Sequence, residues 1–354
     1  MAEMWTLGVA SPRGVMRVAE HVEKAGWDGL AVVDSQNLSG DCYVALAMAA
    51  TVTQRIGLGT GVTNSMTRQA ATTAAAIASV QRISDGRAVL GIGRGDSALA
   101  HLGRAPATLK QFERYMRNLR VYLAGESVAF RDIGIDDRDA PPVDELHLAD
   151  TPGASRIAWI ADVPPVPIEV AATGPKVIRI AALYSDRVMF TLGADPARLK
   201  WGIELARQAR RDAGLDPDEI RFGAYLNAAA HPDIATARNL VRGGLTTFAR
   251  FSVMHGPISG PVSDAERKIL MQLRESYDMR AHTRGDSRQA GVLTDAFIDH
   301  FAVVGTPDVC IQRLRALASL GLDKFILSGV GGSGVAAEAA ALFERHVLPE
   351  LRNA

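Results

Sequence analysis

The sequence has little cysteine, no net charge and no long apolar run. Cys42 and Cys310 are its two cysteines, and they lie far apart, so a disulfide framework or a zinc site has little support. The 39 basic side chains match the 39 acidic ones, which leaves no net field to attract nucleic acid or an anionic membrane. No apolar stretch reaches the roughly 18 residues of a membrane span. The first residues also lack the basic region followed by an apolar stretch that is typical of a secretion signal. We therefore expect a cytoplasmic protein whose partner is a small molecule.

The composition favours one large core. Apolar residues make up 47% of the 354 residues, and charged residues make up 22%. A chain of this length and composition can bury a large interior without dividing into small units. We expect a single domain over residues 1–354.

Short β-rich runs alternate with helical stretches along most of the chain. Eight strands buried on both faces, each followed by a helix, predict a (β/α)8 TIM barrel, and an open doubly wound sheet is the alternative. The predicted strands span 5–10, 29–34, 56–62, 87–93, 167–173, 187–192, 221–227 and 324–329. The predicted helices span 13–25, 41–54, 69–84, 108–124, 175–184, 196–213, 233–248, 307–320 and 331–346.

Two stretches interrupt this alternation. Residues 126–166 are rich in Pro and Asp, and residues 249–305 insert helical material before the last βα unit. Ligands of a TIM barrel meet the loops at the C-terminal ends of the strands. We expect both insertions to lie above that face.

The third predicted strand is unusually rich in glycine. Gly57, Gly59 and Gly61 fall within five residues, where glycine weakens pairing and signals a bulge or a close approach of the backbone. Either a flat group stacks on this strand or the glycines only let the barrel bend. The residues alone leave both explanations open.

Two further strand ends carry groups suited to an anionic ligand. Arg94 follows the fourth strand, and its planar guanidinium matches phosphate geometry, while Asp96 is suited to accept from a ring N–H or to cap the next helix. The fifth strand ends in Thr173 and Gly174, and the free amides and dipole of the helix that follows suit a phosphate. The first βα junction lacks the G-x-G-x-x-G pattern of a nicotinamide site.

The eight histidines form no metal-binding or triad motif, and we expect no metal site. His101, His147 and His282 are interpreted as solvated loop residues. His255 lies in the apolar, glycine-rich stretch FSVMHGPISGP, and its side chain titrates near neutral pH. It is therefore a candidate catalytic acid or base.

Five motifs in order resemble the luciferase-like superfamily, and within it the methylenetetrahydromethanopterin reductases and their actinobacterial relatives. They are GTGVTN at 59–64, AAAIASVQRIS at 74–84, GRAVLGIGRGD at 86–96, ATGPKVI at 172–178 and FAVVGTPD at 301–308. The resemblance implies an oxidoreductase that uses the deazaflavin coenzyme F420 as a hydride carrier for a small organic substrate. It also implies a homodimer, for which the small residues Ala70, Ala71, Ala74, Ala75 and Ala78 offer a close-packing face.

The same resemblance implies roles for particular residues. A cis peptide bond is expected between Gly61 and Val62, against the cofactor ring. Thr63 and Asn64 would flank that ring. The remaining implied contacts are Asp34 and Ser35 as candidate proton donors, Asp96 near the pyrimidine side, Thr173, Gly174, Pro175 and Lys176 for the phosphate, and Asn227 near the pocket.

Three features depart from the reductase pattern, one in each of three segments. Ser35 stands where many deazaflavin members have His, and Ala10 and Ser11 stand where the reductase has an acid. Arg94 replaces a proline and resembles the phosphate-binding arginine of luciferases that use FMN. Two other functions therefore stay open: a two-component FMN monooxygenase supplied by a separate flavin reductase, and a cofactor-binding relative without catalysis.

Overall fold

The computed structural model describes residues 2–11, 13–254, 256–331 and 333–352. Its sheet consists of parallel strands that are almost entirely buried. The strands are β1 (Glu3–Gly8), β2 (Gly29–Val32), β3 (Gly57–Thr60), β4 (Thr63–Asn64), β5 (Ala88–Gly93), β6 (Ile168–Ala172), β7 (Arg187–Phe190), β8 (Arg221–Ala230), β9 (Val303–Gly305) and β10 (Lys324–Ser328).

Eight of these strands close into a barrel. Their order is β1, β2, β3, β5, β6, β7, β8 and β10, and β10 pairs with both β8 and β1, so that Ile326 lies opposite Tyr225 and Trp5. The short strand β4 continues β3 and pairs with β5, while β9 pairs with the end of β8. The predicted TIM barrel is confirmed. The open sheet is wrong because β10, the last barrel strand, pairs with β1, the first one.

The helices begin and end close to their predicted bounds. Asp41 caps α2 through the amides of Tyr43 and Val44, and Gly26 ends α1 in the left-handed conformation, as the sequence indicates. The helices are α1 (Val15–Ala25), α2 (Cys42–Ala50), α3 (Ala70–Ile83), α4 (Ser97–Ala100), α5 (Leu109–Leu123), α6 (Phe130–Ile133), α7 (Pro175–Tyr184), α8 (Pro196–Asp212), α9 (Ile234–Arg250), α10 (Asp264–Ser276), α11 (Asp295–Phe301), α12 (Pro307–Ala318), α13 (Val335–Leu342) and α14 (Leu348–Arg352).

Trp5 fills the N-terminal part of the barrel interior. A Cβ atom placed at Gly29 or Gly57 would lie 2.2 or 2.4 Å from the indole, and one at Gly59 would lie 3.1 Å from it. These glycines therefore make room for a large ring. A flat group does lie against the glycine-rich strand, and for Gly57 and Gly59 that group is the protein's own tryptophan.

A buried group of charges lies beside Trp5. Lys324 Nζ is 3.4 Å from the centroid of the indole and donates to both carboxylate oxygens of Glu169, at 2.9 and 3.0 Å. Arg187 also pairs with Glu169 and donates to Asp323 at 2.8 Å. Each charge has an opposite partner, which is the condition under which charges persist inside a protein.

The segment 126–166 lies at the other end of the barrel from the one expected. Because α5 runs antiparallel to β5, it ends at the N-terminal face, and the segment stays on that side until it enters β6. Pro165 accepts from the Gln81 side chain at the end of α3, at 2.8 Å, and Val128 pairs with Ser155 in an antiparallel bridge. The prediction that this insertion lies above the barrel mouth is wrong.

The second insertion does lie over the C-terminal face, and it begins earlier than expected. The predicted helix at 233–248, here α9, crosses the mouth of the barrel rather than packing on its outside: the Phe248 ring is 6.4 Å from that of Tyr225, and Arg250 pairs with Asp96 beyond β5. Helix α12 instead takes the position outside the barrel predicted for the helix after β8. The insertion therefore spans roughly the whole interval between β8 and α12.

The small-residue face of α3 is used within the chain. Ala70, Ala74 and Ala78 are buried, and Ala71 and Ala75 pack against the core. The predicted homodimer stays a prediction without support from this face. Among the described residues, no helix combines the length and the apolar character that crossing a membrane requires.

Replacement of Gly29 by alanine tests the packing around Trp5. The new Cβ would overlap the indole, so we expect Gly29→Ala to lower the free energy of unfolding by about 2–3 kcal/mol, measured by urea denaturation. The additional change Trp5→Leu should recover part of this loss. Gly153→Ala is the control, because a Cβ at Gly153 meets no atom within 4 Å. Equal stability of the two single variants would contradict the packing described.

Candidate active site

A cleft of about 1000 Å³ opens at the C-terminal ends of the strands. Its walls come from the loops after β1, β2, β4, β5, β6 and β7, and its roof comes from α9 and the insertion that follows. Most of the residues singled out in the sequence line it together: Asp34, Ser35, Gly61, Val62, Thr63, Asn64, Arg94, Asp96, Thr173, Gly174, Pro175 and Lys176. His255 lies outside the described residues, so its predicted role stays untested.

Asp34 is held by two neighbours at the end of β2. Its Oδ2 accepts from Thr63 Oγ1 at 2.6 Å and from the Arg68 guanidinium at 2.7 Å. Arg68 also donates to Asp41 at 2.6 Å and stacks over the Tyr43 ring. The Asp34 side chain is only 1% exposed, and its bonds to Arg68 and Thr63 fix the positions of all three side chains.

Ser35 connects the β2 loop to the β5 loop. Its hydroxyl lies 2.6 Å from the hydroxyl of Ser97, at the start of α4. The neighbouring Gln36 side chain donates to the carbonyl of Ala98 at 2.9 Å. A serine therefore stands in the cleft where many deazaflavin members have His, and its hydroxyl already has a hydrogen-bond partner.

The backbone between β3 and β4 forms one wall of the cleft. The peptide bond between Gly61 and Val62 is cis, as the resemblance implies. A Cβ at Gly61 would lie 2.8 Å from Leu7 and 2.9 Å from Ala31, so glycine is required there. Asn64 Oδ1 accepts from two backbone amides of its own loop at 3.0 Å, whereas its buried Nδ2 has no partner among the described residues. This amide is a free donor at the cleft wall.

Arg94 and Asp96 follow β5 but have different surroundings. Arg94 Nε donates to the carbonyl of Ala107 at 2.6 Å, and burial lowers the pKa of this guanidinium. Asp96 pairs with Arg250 of α9, which stacks over the Tyr277 ring at 4.4 Å. The Asp96 side chain does not cap α4, so that interpretation is wrong. Its carboxylate instead ties the roof to the β5 loop.

The N-terminus of α7 lies at the edge of the cleft, as expected. Thr173 is hydrogen-bonded to Thr191, which follows β7. Gly174 is the N-cap with no capping side chain, Pro175 is the first helical residue, and Lys176 is exposed. The dipole and free backbone amides of α7, together with the ammonium group of Lys176, suit an anion.

Asn227 does not line the cleft, so the prediction that it contacts the cofactor is not supported. Strand β8 continues three residues beyond it to Ala230, and Asn227 is 1% exposed beneath α9. A Cβ on Gly244 would lie 2.7 Å from its amide nitrogen. The extension of β8 and the crossing helix, neither visible in the apolar pattern, cover this residue.

The insertion brings His282 into the cleft. Its Nδ1 lies 2.8 Å from the Tyr277 hydroxyl, which is 3.3 Å from the hydroxyl of Thr247. Burial lowers the pKa of His282, nearby Arg250 lowers it further, and Asp96 opposes both. Its interpretation as a solvated loop histidine is wrong. No local signal distinguishes it, because its burial depends on how the insertion folds back.

The sequence and the fold were compared with known proteins. A model of the luciferase-like monooxygenase family matches residues 2–324, so the chain belongs to this family. A 5,10-methylenetetrahydromethanopterin reductase of Methanolobus tindarius is 29% identical over 321 residues, 88% of this chain and 90% of that one. The predicted family is confirmed.

Solved structures share the fold at lower identity. The coenzyme F420 dependent tetrahydromethanopterin reductase of Methanopyrus kandleri has a TM-score of 0.73 at 20% identity, over 99% of each chain. An F420-dependent secondary alcohol dehydrogenase, in complex with an F420-acetone adduct, has a TM-score of 0.71 at 17% identity, also over 99% of each chain. The barrel and its additions thus match the luciferase-like fold over nearly the whole chain.

The lowered pKa of His282 predicts a pH-dependent stability. The unfolded chain binds more protons than the folded one between the lowered value and about 6.5, so wild-type stability should fall as the pH drops through this window. His282→Gln should lose less stability than the wild type between about pH 7.5 and pH 5, measured by urea denaturation at both pH values. An identical pH dependence of His282→Gln and wild type would show that burial does not disfavour the charged imidazole.

Proposed function

We propose that this protein is a coenzyme F420-dependent oxidoreductase that transfers hydride to or from a small organic substrate. The observation that carries the proposal is the likeness to a methylenetetrahydromethanopterin reductase over about nine-tenths of both chains. The oxidoreductase class expected from the sequence agrees with these relatives. The departures at Ala10, Ser11 and Ser35 argue against transferring the relative's own substrate to this chain.

The residues of the cleft fit a flat tricyclic cofactor. Gly61 brings backbone rather than side chain to one wall, and Leu7, Val62, Ala171 and Tyr225 provide an apolar lining. The unpartnered Nδ2 of Asn64 supplies a donor for a ring carbonyl, and a buried donor without a partner is costly unless a ligand satisfies it. Bound F420 would supply the hydride chemistry, while the protein supplies orientation and electrostatics.

The anionic part of the cofactor would lie at the start of α7. Gly174 leaves the N-terminal amides of the helix open, and Lys176 adds a mobile positive charge. Thr173 is fixed by its bond to Thr191. These residues would bind and orient the phosphate, as the helix dipole favours.

Proton transfer falls to His282 better than to Asp34. Asp34 is engaged by Thr63 and Arg68 and acts as a positioning residue. The imidazole of His282 borders the cleft, and burial favours its neutral form near pH 7, which is the state of a general base. Its Nδ1 is oriented by Tyr277, which leaves Nε2 for substrate.

A second candidate function is a two-component FMN monooxygenase, and Arg94 favours it. Its guanidinium borders the cleft, and none of the ion pairs in the described part of the chain includes it. A guanidinium in this position suits a flavin phosphate. This function would require a separate flavin reductase as a partner.

Cofactor titrations separate the two functions. We expect purified, cofactor-stripped protein to bind oxidised F420 at least about tenfold more tightly than oxidised or reduced FMN, followed by fluorescence quenching. Arg94→Ala should keep this preference, because the F420 phosphate is assigned to α7. Selective binding of reduced FMN that disappears in Arg94→Ala would overturn the proposal in favour of the monooxygenase. Binding of neither cofactor would favour a relative without catalysis.

Asn64→Asp tests the free donor at the cleft wall. The carboxylate keeps the oxygen that accepts from the loop amides but replaces the NH2 donor by an acceptor. Loss of a hydrogen bond to a buried partner costs about 1–3 kcal/mol, so the Kd for F420 should rise about tenfold or more. Asn37→Asp is the control, in an exposed loop. Unchanged affinity in Asn64→Asp would remove Asn64 from the cofactor site.

A further inference from the structure

A buried arginine that the cofactor roles do not use lines the cleft. Arg198 lies in the first turns of α8 and is 2% exposed. Its Nη2 donates to the hydroxyl of Ser252 at 3.0 Å, and its guanidinium lies over the Phe301 ring at 5.6 Å. Within the ranges that the structure describes, its Nε and Nη1 are buried and have no hydrogen-bond partner. Most of its donors are therefore unused.

The carboxylates near Arg198 are occupied by other groups. Asp195 accepts from the amides of Ala197 and Arg198 as the cap of α8, and Glu266 is bonded to Ser263 and His300. Burial lowers the pKa of Arg198 in spite of both carboxylates. An arginine nevertheless stays charged, and a buried cation without a hydrogen-bonded partner is unfavourable. A residue that costs stability in this way is typical of a binding site.

We propose that Arg198 forms a binding subsite for an anionic group, a carboxylate or a phosphate, on the substrate. The proposal rests on the function proposed above, since it assigns this anion to the substrate and the anion at α7 to F420. The two subsites follow different strands: Lys176 comes after β6, and Arg198 comes after β7. Arg198 also contacts the roof, through Ser252 and Phe301, and the roof is the part of the cleft that the long insertion builds.

The cleft that Arg198 lines also contains two buried hydroxyl side chains. Thr191 is 5% exposed and Ser252 8%, and both line the cleft. Ser252 accepts from Arg198, so its own proton is free to be donated to an anion. Charge-assisted bonds from a guanidinium to a carboxylate or phosphate are among the stronger hydrogen bonds in proteins. Such a group would satisfy the donors that the folded chain leaves open.

The test measures anion binding to protein already saturated with F420. Isothermal titration with inorganic phosphate, and separately with acetate, should show saturable binding to the F420-loaded wild type by at least one of the two anions. Arg198→Met should weaken it about tenfold or more and should leave F420 affinity unchanged. Arg207→Met is the matched control: Arg207 lies on the same helix, stacks over Phe222 and is outside the cleft. It should bind the anion as the wild type does.

Thermal unfolding supplies a readout that does not depend on ligand. Since Arg198→Met removes an unpaired buried charge, it should unfold at the wild-type temperature or above. Unfolding several degrees lower together with retained anion binding would make Arg198 a structural residue and overturn the proposal. Loss of anion binding on F420 loading would assign the anion to the cofactor and overturn it as well. If the wild type binds no F420, the proposed function fails, and the same anion titration on the cofactor-free variants still decides whether Arg198 binds anions.

Discussion

The indole of Trp5 inside the barrel determines where a ligand can bind. Its ring spans the N-terminal half of the interior, lies against Gly29 and Gly57, and carries the Lys324 ammonium 3.4 Å from its centroid. Glu169 neutralises that ammonium, so the charge can remain buried. With this end filled, the cleft lies above the ring, where the strand ends provide Leu7 and Tyr225 as its floor. The packing of this one side chain thus fills the N-terminal end of the barrel and leaves the cleft at the C-terminal end.

The roof of the cleft depends on a second interaction, between Asp96 and Arg250. Helix α9 crosses the mouth, and its last residue reaches the loop after β5 on the opposite side. The Arg250 guanidinium also stacks over Tyr277, which orients His282. The resemblance implies that Asp96 lies near the cofactor ring. Its carboxylate therefore also holds the roof in position, through Arg250. The same pair influences the pKa of His282, which borders the cleft.

The barrel could be predicted because each strand is buried on both faces and reads as a continuous apolar run. Most of the residues predicted to bind the cofactor line one cleft for the same reason, since the C-terminal ends of parallel strands meet at one face. The insertions could not be placed this way. Residues 126–166 follow a helix rather than a strand, which puts them at the N-terminal face. His282, Arg198 and the covered Asn227 depend on contacts between segments far apart in sequence, which periodicity does not encode.

The chain as a whole has no net charge, but the cleft contains more unpaired positive than negative side chains. Its two acids, Asp34 and Asp96, are each paired with an arginine. Its cations Arg94, Lys176 and Arg198 have no carboxylate partner in the described part of the chain, and they follow three successive barrel strands, β5, β6 and β7. A low-dielectric cleft with unpaired cations concentrates positive potential, although the net charge is zero. Under the proposed assignments, the cofactor anion at α7 would pair with Lys176 and the substrate anion with Arg198, so the two ligands would bring negative charge to separate points of the rim.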